Sequence, residues 1–204
     1  MARLATRLGG VALATAATLI LSAPMAQAGY LVTLEQVGSD VVAIGGGALD
    51  LTGLTFAFSG AAKADMTPSE AGITTGPVAD TPTDGYDGFS GPASFGGGSL
   101  TIDASSGSGD TVTIVGGGNL IGVPKGYLSE SLLSDISTYS GQTFTSLGVT
   151  PGAYEWTWGT GPNQNFTLIV GEVPEPSTWA MMLIGLAGLG VAGRRAARRA
   201  GACV

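Results

Sequence analysis

Near its carboxyl end the chain turns apolar from Thr178 to Gly193 and then meets Arg194, Arg195, Arg198 and Arg199. Sixteen residues at helical rise cover roughly 24 Å, a little less than a bilayer's hydrocarbon core of about 30 Å, so the run spans by thinning the bilayer or recruiting its flanks. The flanks suit that role. Trp179 stands where an interfacial aromatic belongs, and the arginines form a cytoplasmic stop, so everything before Thr178 is expected outside. A buried core helix is the competing reading. Against it stands Gly185-Leu186-Ala187-Gly188-Leu189-Gly190, where each glycine costs about 1 kcal/mol relative to alanine in water, whereas lipid enforces the helix.

The amino terminus mirrors this end. Arg3 and Arg7 make a basic start, Val11 to Leu21 an apolar stretch, and Ala26-Gln27-Ala28 an A-x-A cleavage site that leaves Gly29 as the mature first residue. The arginines are not adjacent, which predicts a general secretory signal and not a twin-arginine one. An uncleaved anchor is disfavoured by the shortness of the apolar stretch.

Pro174-Glu175-Pro176 directly before a short apolar helix, Trp179 at its opening and a terminal arginine cluster together resemble the tripartite sorting tail of PEP-CTERM proteins. That resemblance covers about 30 of the 204 residues. It implies export by a Gram-negative bacterium and cleavage by an exosortase, a membrane-embedded cysteine transpeptidase, with Pro174, Glu175 and Pro176 as the recognition motif. It further implies transient anchoring in the inner membrane, release to the cell surface or exterior, and association with exopolysaccharide or biofilm. The prolines also have a physical role: each fixes its own φ and disfavours helix in the residue before it, so Val173 to Pro176 should be extended. Taken alone, they would merely separate body from helix.

The expected organisation is therefore a signal peptide over 1–28, a body over 29–172 and a sorting tail over 173–199, with the motif at 173–177, the transmembrane helix at 178–193 and the arginine cluster at 194–199. The secretory translocon and signal peptidase are implied partners. Within 29–172 only Lys63 and Lys125 oppose fourteen carboxylates, a net charge of −12 that repels nucleic acid and anionic lipid. The single cysteine, Cys203, lies beyond the arginines, so no disulfide forms within the chain and packing must hold the body. With no histidine to activate it, Cys203 is a poor nucleophile candidate.

The body reads mainly as β: an antiparallel β-sandwich with jelly-roll or Greek-key connections. Tyr30–Val37 is a first strand, Gly38-Ser39 a turn, and 40–44 a second strand; 48–51 and 54–58 are further short strands. Residues 59–99, small and rich in glycine and proline, read as a functional loop or a partly disordered one. Within them Asp80, Asp84 and Asp87 are the candidate calcium ligands, but the EF-hand spacing is absent and Asp-Gly pairs are ordinary turn chemistry, so turns are the preferred reading. Strands return at 99–103 and 111–115, joined by a hairpin-like link. Glycine triplets at 45–47, 96–98 and 116–118 match no phosphate-binding pattern and are taken as turns or bulges. Residues 127–139 carry Leu128, Leu132, Leu133 and Ile136 near helical spacing, with Ser129 as cap, and predict a short helix or an irregular segment. In Ala153–Trp158, Tyr154, Trp156 and Trp158 share a face; it is read as core in preference to a sugar-stacking platform, and 165–170 as its partner strand.

The absence of histidine removes Ser/His/Asp and Cys/His catalysis and imidazole metal sites, and no carboxylate spacing singles out an acid/base pair. The expectation is a non-enzymatic exported protein without cofactor or resident metal. The rival is a secreted carbohydrate- or calcium-binding module using the 61–95 segment or the Trp156/Trp158 face.

Overall fold

A computed structural model of the protein describes residues 29–171. The signal segment, the sorting motif with its helix and arginines, and Cys203 lie outside the described residues, and no helix among those described is long and apolar enough to cross a membrane. In chain order the strands are β1 (Tyr30–Val37), β2 (Asp40–Ala48), β3 (Thr55–Ala62), β4 (Asp65–Thr67), β5 (Gly72–Thr75), β6 (Thr81–Asp87), β7 (Ile102–Asp103), β8 (Ser106–Gly109), β9 (Val112–Val115), β10 (Leu120–Pro124) and β11 (Leu132–Tyr139). A one-turn helix α1 (Phe144–Leu147), β12 (Gly152–Thr157) and β13 (Asn165–Val170) complete the series.

The strands form two sheets, ordered β12-β13-β1-β2-β11-β8 and β3-β6-β10-β9-β5-β4-β7. Both contribute to one hydrophobic core: Tyr30, Val32 and Leu34 of β1 and Phe166 and Leu168 of β13 from the first, Met66, Ile73, Ile114 and Ile121 from the second. The mainly β expectation with two packed sheets therefore holds. Pairing is antiparallel with one exception, since β1 lies parallel to β13, from Tyr30 opposite Phe166 to Leu34 opposite Val170. That parallel pair joins the first described strand to the last, and parallel neighbours need a long crossover, here everything from β2 to β12.

Alternation is the physical origin of β1 and β13, interior strands of the first sheet. β1 buries Tyr30, Val32 and Leu34, and β13 buries Phe166, Leu168 and Val170; period-two burial of aliphatic and aromatic residues is what a half-solvated strand requires. The turn at Gly38-Ser39, the strand at 165–170 and its antiparallel pairing with β12 stand as expected.

Elsewhere the structure corrects the reading. Residues 59–87 are not a loop: they finish β3 and supply β4, β5 and β6, while 88–99 remain an irregular connection. Their small side chains disguise the strands because β5, Gly-Ile-Thr-Thr, is buried on both faces and satisfies its threonines internally, with Thr113 Oγ1 donating to Thr74 Oγ1 at 3.2 Å. Residues 48–51 contribute only Ala48 to a strand, while 120–124, which carried no strand expectation, form β10. The segments at 99–103 and 111–115 do not form a hairpin. β7 pairs with β4, β9 with β5 and β10, and the link between them crosses to the other sheet as β8 against β11. Of the glycine triplets, 116–118 is a turn but 45–47 runs inside β2.

In place of the helix expected over 127–139, residues 132–139 form strand β11 and 127–131 an irregular turn before it. Leu128 and Leu132, half of its supposed apolar face, are 75% and 87% exposed, while Leu133, Asp135, Ser137 and Tyr139 point inward. Ser129 caps nothing; its hydroxyl accepts from the Leu51 N–H at 2.9 Å and donates to Asp50 Oδ1 at 3.1 Å. The helix that does form, α1, begins at a capping box between Thr143 and Ser146 and ends at Gly148 in a left-handed conformation.

Candidate functional site

The aromatic face of β12 is resolved in favour of the core. Trp156 is fully buried, stacks edge-on against Phe166 at 5.8 Å between ring centroids, and donates from Nε1 to the Pro92 carbonyl at 2.8 Å. Trp158 is half-buried and donates to the Asp50 carbonyl at 2.7 Å. Tyr154 packs against Phe95 at 6.0 Å and its hydroxyl donates to Thr150 O. Each ring is an amphipathic anchor whose polar atom ties down a loop, so little of the face is left for a sugar ring.

The three calcium candidates fall along one strand and its approach. Asp80 precedes β6, while Asp84 and Asp87 lie within it three residues apart, an odd separation that places them on opposite faces. Asp84 accepts from Ser59 Oγ at 2.6 Å and from the Gly126 N–H at 2.9 Å, bonds that hold its carboxyl below the usual range. Asp84-Gly85 is mid-strand and not a turn. Among the described residues no three His, Cys, Asp or Glu side chains group in a way that could hold a metal ion.

The sequence reading missed a buried polar cluster between the sheets. The Tyr30 hydroxyl donates to Asp135 Oδ2 across β2, and it can do so because Gly45, between them, has no side chain: a Cβ there would collide with both. Nearby, Ser137 Oγ accepts from the Gly76 N–H at 2.9 Å and donates to its carbonyl at 3.1 Å, joining β11 to the segment after β5. Burial pushes the Asp135 carboxyl up to about 6 against the opposing effect of the Tyr30 bond, and burial with the Asp135 charge pushes the Tyr30 hydroxyl far above its usual value. Asp135 Oδ1, Thr111 Oγ1 and Tyr139 Oη are buried without a hydrogen-bond partner among the described residues. Asp135 is only 6% exposed, so it is a structural acid shut away from solvent. The one signal available beforehand was Asp135 itself, at an alternate position of what proved to be a strand.

Carboxylates meet once more, where Asp65 and Asp103 face each other across β4 and β7. Burial raises Asp65, and Lys63 answers Asp103 at 2.5 Å in an exposed ion pair. A shallow groove of about 350 Å³, lined by Ser99, Leu100, Ile102, Thr145, Ser146 and Leu147, carries no ionisable side chain.

The ends of the body bear on the expected processing sites. Gly29, the residue expected to become the mature terminus, is buried, and a side chain there would run into Asn165. At the other end β13 closes at Val170, leaving three residues before Pro174. Extended, those three reach about 10 Å. What these features define is a two-sheet β body followed in sequence by Pro174-Glu175-Pro176, an apolar run and arginines. Residues 172–199 match the family model described as the PEP-CTERM protein-sorting motif. The chain thus carries the sorting motif of an exosortase substrate, an exported protein processed at a membrane. No curated protein and no solved structure matches the chain.

Proposed function

We propose that this chain is a non-enzymatic cell-surface or extracellular-matrix protein, a single β-sandwich body delivered by a cleaved amino-terminal signal and released by exosortase cleavage near Pro174-Glu175-Pro176. The tail match over 172–199 carries the reading. Supporting it, β13 ends at Val170, three residues before the motif, so a cut near the motif leaves the described two-sheet body whole. The lack of histidine in the chain and the burial of Asp135 favour a structural role over catalysis. Its strongly acidic body suits a hydrated extracellular layer, and an association with exopolysaccharide follows from the tail's kinship alone.

Replacing Pro174, Glu175 and Pro176 together by alanine tests the sorting step. The expected product is an unprocessed, membrane-retained chain, seen by fractionation and by intact mass; release of that variant at the normal mass removes the proposal.

A further inference from the structure

Strand β13 ends at Val170 with Gly152 paired opposite, and a side chain on Gly171 would rest against Pro151. Three other pieces of the chain gather at this end. Because β1 runs parallel to β13 with Leu34 opposite Val170, Val37 lies three residues, about 10 Å, further in the direction in which the chain leaves β13. The Gln36 side chain ties that hairpin to α1: its Nε2 donates to the Gln142 carbonyl at 3.1 Å, and its Oε1 accepts from the Phe144 N–H at 3.3 Å. Beside α1, the Thr150 N–H donates to the Phe95 carbonyl and the Gly98 N–H to the Gly148 carbonyl, which brings the segment around Leu100 to the same end. Val37 is 54% and Leu100 77% exposed there.

This end differs from the rest of the body in charge. Residues 94–102 and 136–154 contain no charged side chain, in a body of net −12. Glu35, Asp40 and Asp103 border it. The Asp40 carboxylate accepts from the Gly141 N–H at 2.8 Å and from the Ser39 hydroxyl at 3.2 Å, and Asp103 is paired with Lys63. Acids crowd elsewhere, as along β6 and its approach with Asp80, Asp84 and Asp87. We propose, on the reading of 178–193 as a membrane span, that the uncharged end is the surface the body turns to the lipid bilayer before cleavage, with Val37 and Leu100 meeting the headgroup layer.

The tether selects this partner. Seven residues lead from Gly171 to Thr178, at most about 25 Å of chain, of which the headgroup layer takes about 5–7 Å. Gly171 therefore stays within about 20 Å of the membrane surface, and the hairpin tip, about 10 Å beyond the end of β13, halves that gap. Charge selects which side approaches. Anionic lipids repel carboxylates within a screening length of roughly 8 Å at physiological salt, so a tilt that lowered β6 onto the headgroups is opposed. The end built of serine, threonine, glycine, Val37 and Leu100 meets no such repulsion beyond its bordering acids.

The test uses the full-length chain with Cys203→Ser and a single fluorescent label at Val37→Cys, Leu100→Cys or Leu132→Cys, all exposed positions. It is reconstituted in phosphatidylcholine–phosphatidylglycerol vesicles that include lipids with a nitroxide quencher on the headgroup. Leu132 is the far control: it begins β11, seven residues and about 24 Å from Tyr139, which lies opposite Val41 beside the hairpin. Over that separation, quenching at Val37 and at Leu100 is expected to exceed quenching at Leu132 at least about threefold. Vesicle flotation run alongside separates two kinds of failure. A chain that does not float with the vesicles overturns the membrane-span reading and this proposal with it. A chain that floats while Leu132 is quenched as strongly as either Val37 or Leu100 overturns this proposal alone.

Discussion

The core has two walls of opposite character. Around β12 and β13 it is aromatic: Trp156, Phe166 and Tyr30 pack ring on ring, and the Trp156 indole N–H bonds the Pro92 loop carbonyl. Around β2 and β11 it is polar: Asp135 and Ser137 point inward, Gly45 makes room for the Tyr30–Asp135 bond across β2, and Ser137 reaches the other sheet at Gly76. The first wall gains its stability from area and tolerates no loss of it. In the second, stability depends on each buried polar atom finding a partner, which makes that wall sensitive to pH and to single atoms.

The largest expected effect lies on the aromatic wall. Trp156→Ala removes a fully buried indole together with its bond to Pro92, and should cost about 3–5 kcal/mol in denaturant unfolding. A cost below about 1 kcal/mol would show that the ring does not anchor this wall.

The polar wall is next. Because the Asp135 carboxyl is raised to about 6 in the folded protein, the native state binds its proton more tightly than the unfolded chain does. Its contribution is therefore whole below the unfolded value near 4 and is lost as pH rises through 6, amounting to about 3 kcal/mol by pH 7.5. Asp135→Asn should flatten that part of the stability-versus-pH curve; an unchanged slope between pH 4 and 7.5 would mean that Asp135 is not the titrating group. Asp65, raised in the same direction, leaves a smaller slope of the same sign.

Smaller again is Tyr30→Phe, which deletes one hydroxyl and leaves Asp135 Oδ2 without its donor, an expected loss of about 2 kcal/mol at pH 7. The loss should shrink at pH 4, where the carboxyl is protonated and no charge is stranded. Smallest are changes outside both walls: Leu132→Ser, at a residue 87% exposed, should move stability by under about 0.5 kcal/mol.

These walls also explain which parts of the molecule were readable. β1, β12 and β13 announce themselves through alternating large apolar residues, and their bounds were nearly those observed. β11 misled because its leucines sit outside and its aspartate and serine inside, a pattern that satisfies helical spacing as well as it hides a strand. β4, β5 and β6 were invisible because residues as small as glycine and threonine leave little periodic contrast. The aspartates of β6 looked like turn chemistry, and only their register against β3 and β10 shows them as strand residues.

The sorting tail needed no fold to be read. Pro174-Glu175-Pro176, an apolar run and four arginines are recognisable from local composition and order alone. The interior of the body is a different matter. Whether Asp135 faces water or Tyr30, whether Gly45 turns the chain or clears a path within a strand, and which edge is left open at β3 depend on neighbours more than 80 positions apart in the chain or absent beside it. Such choices are made by pairing and burial across the sheets, energies that do not exist until distant strands meet.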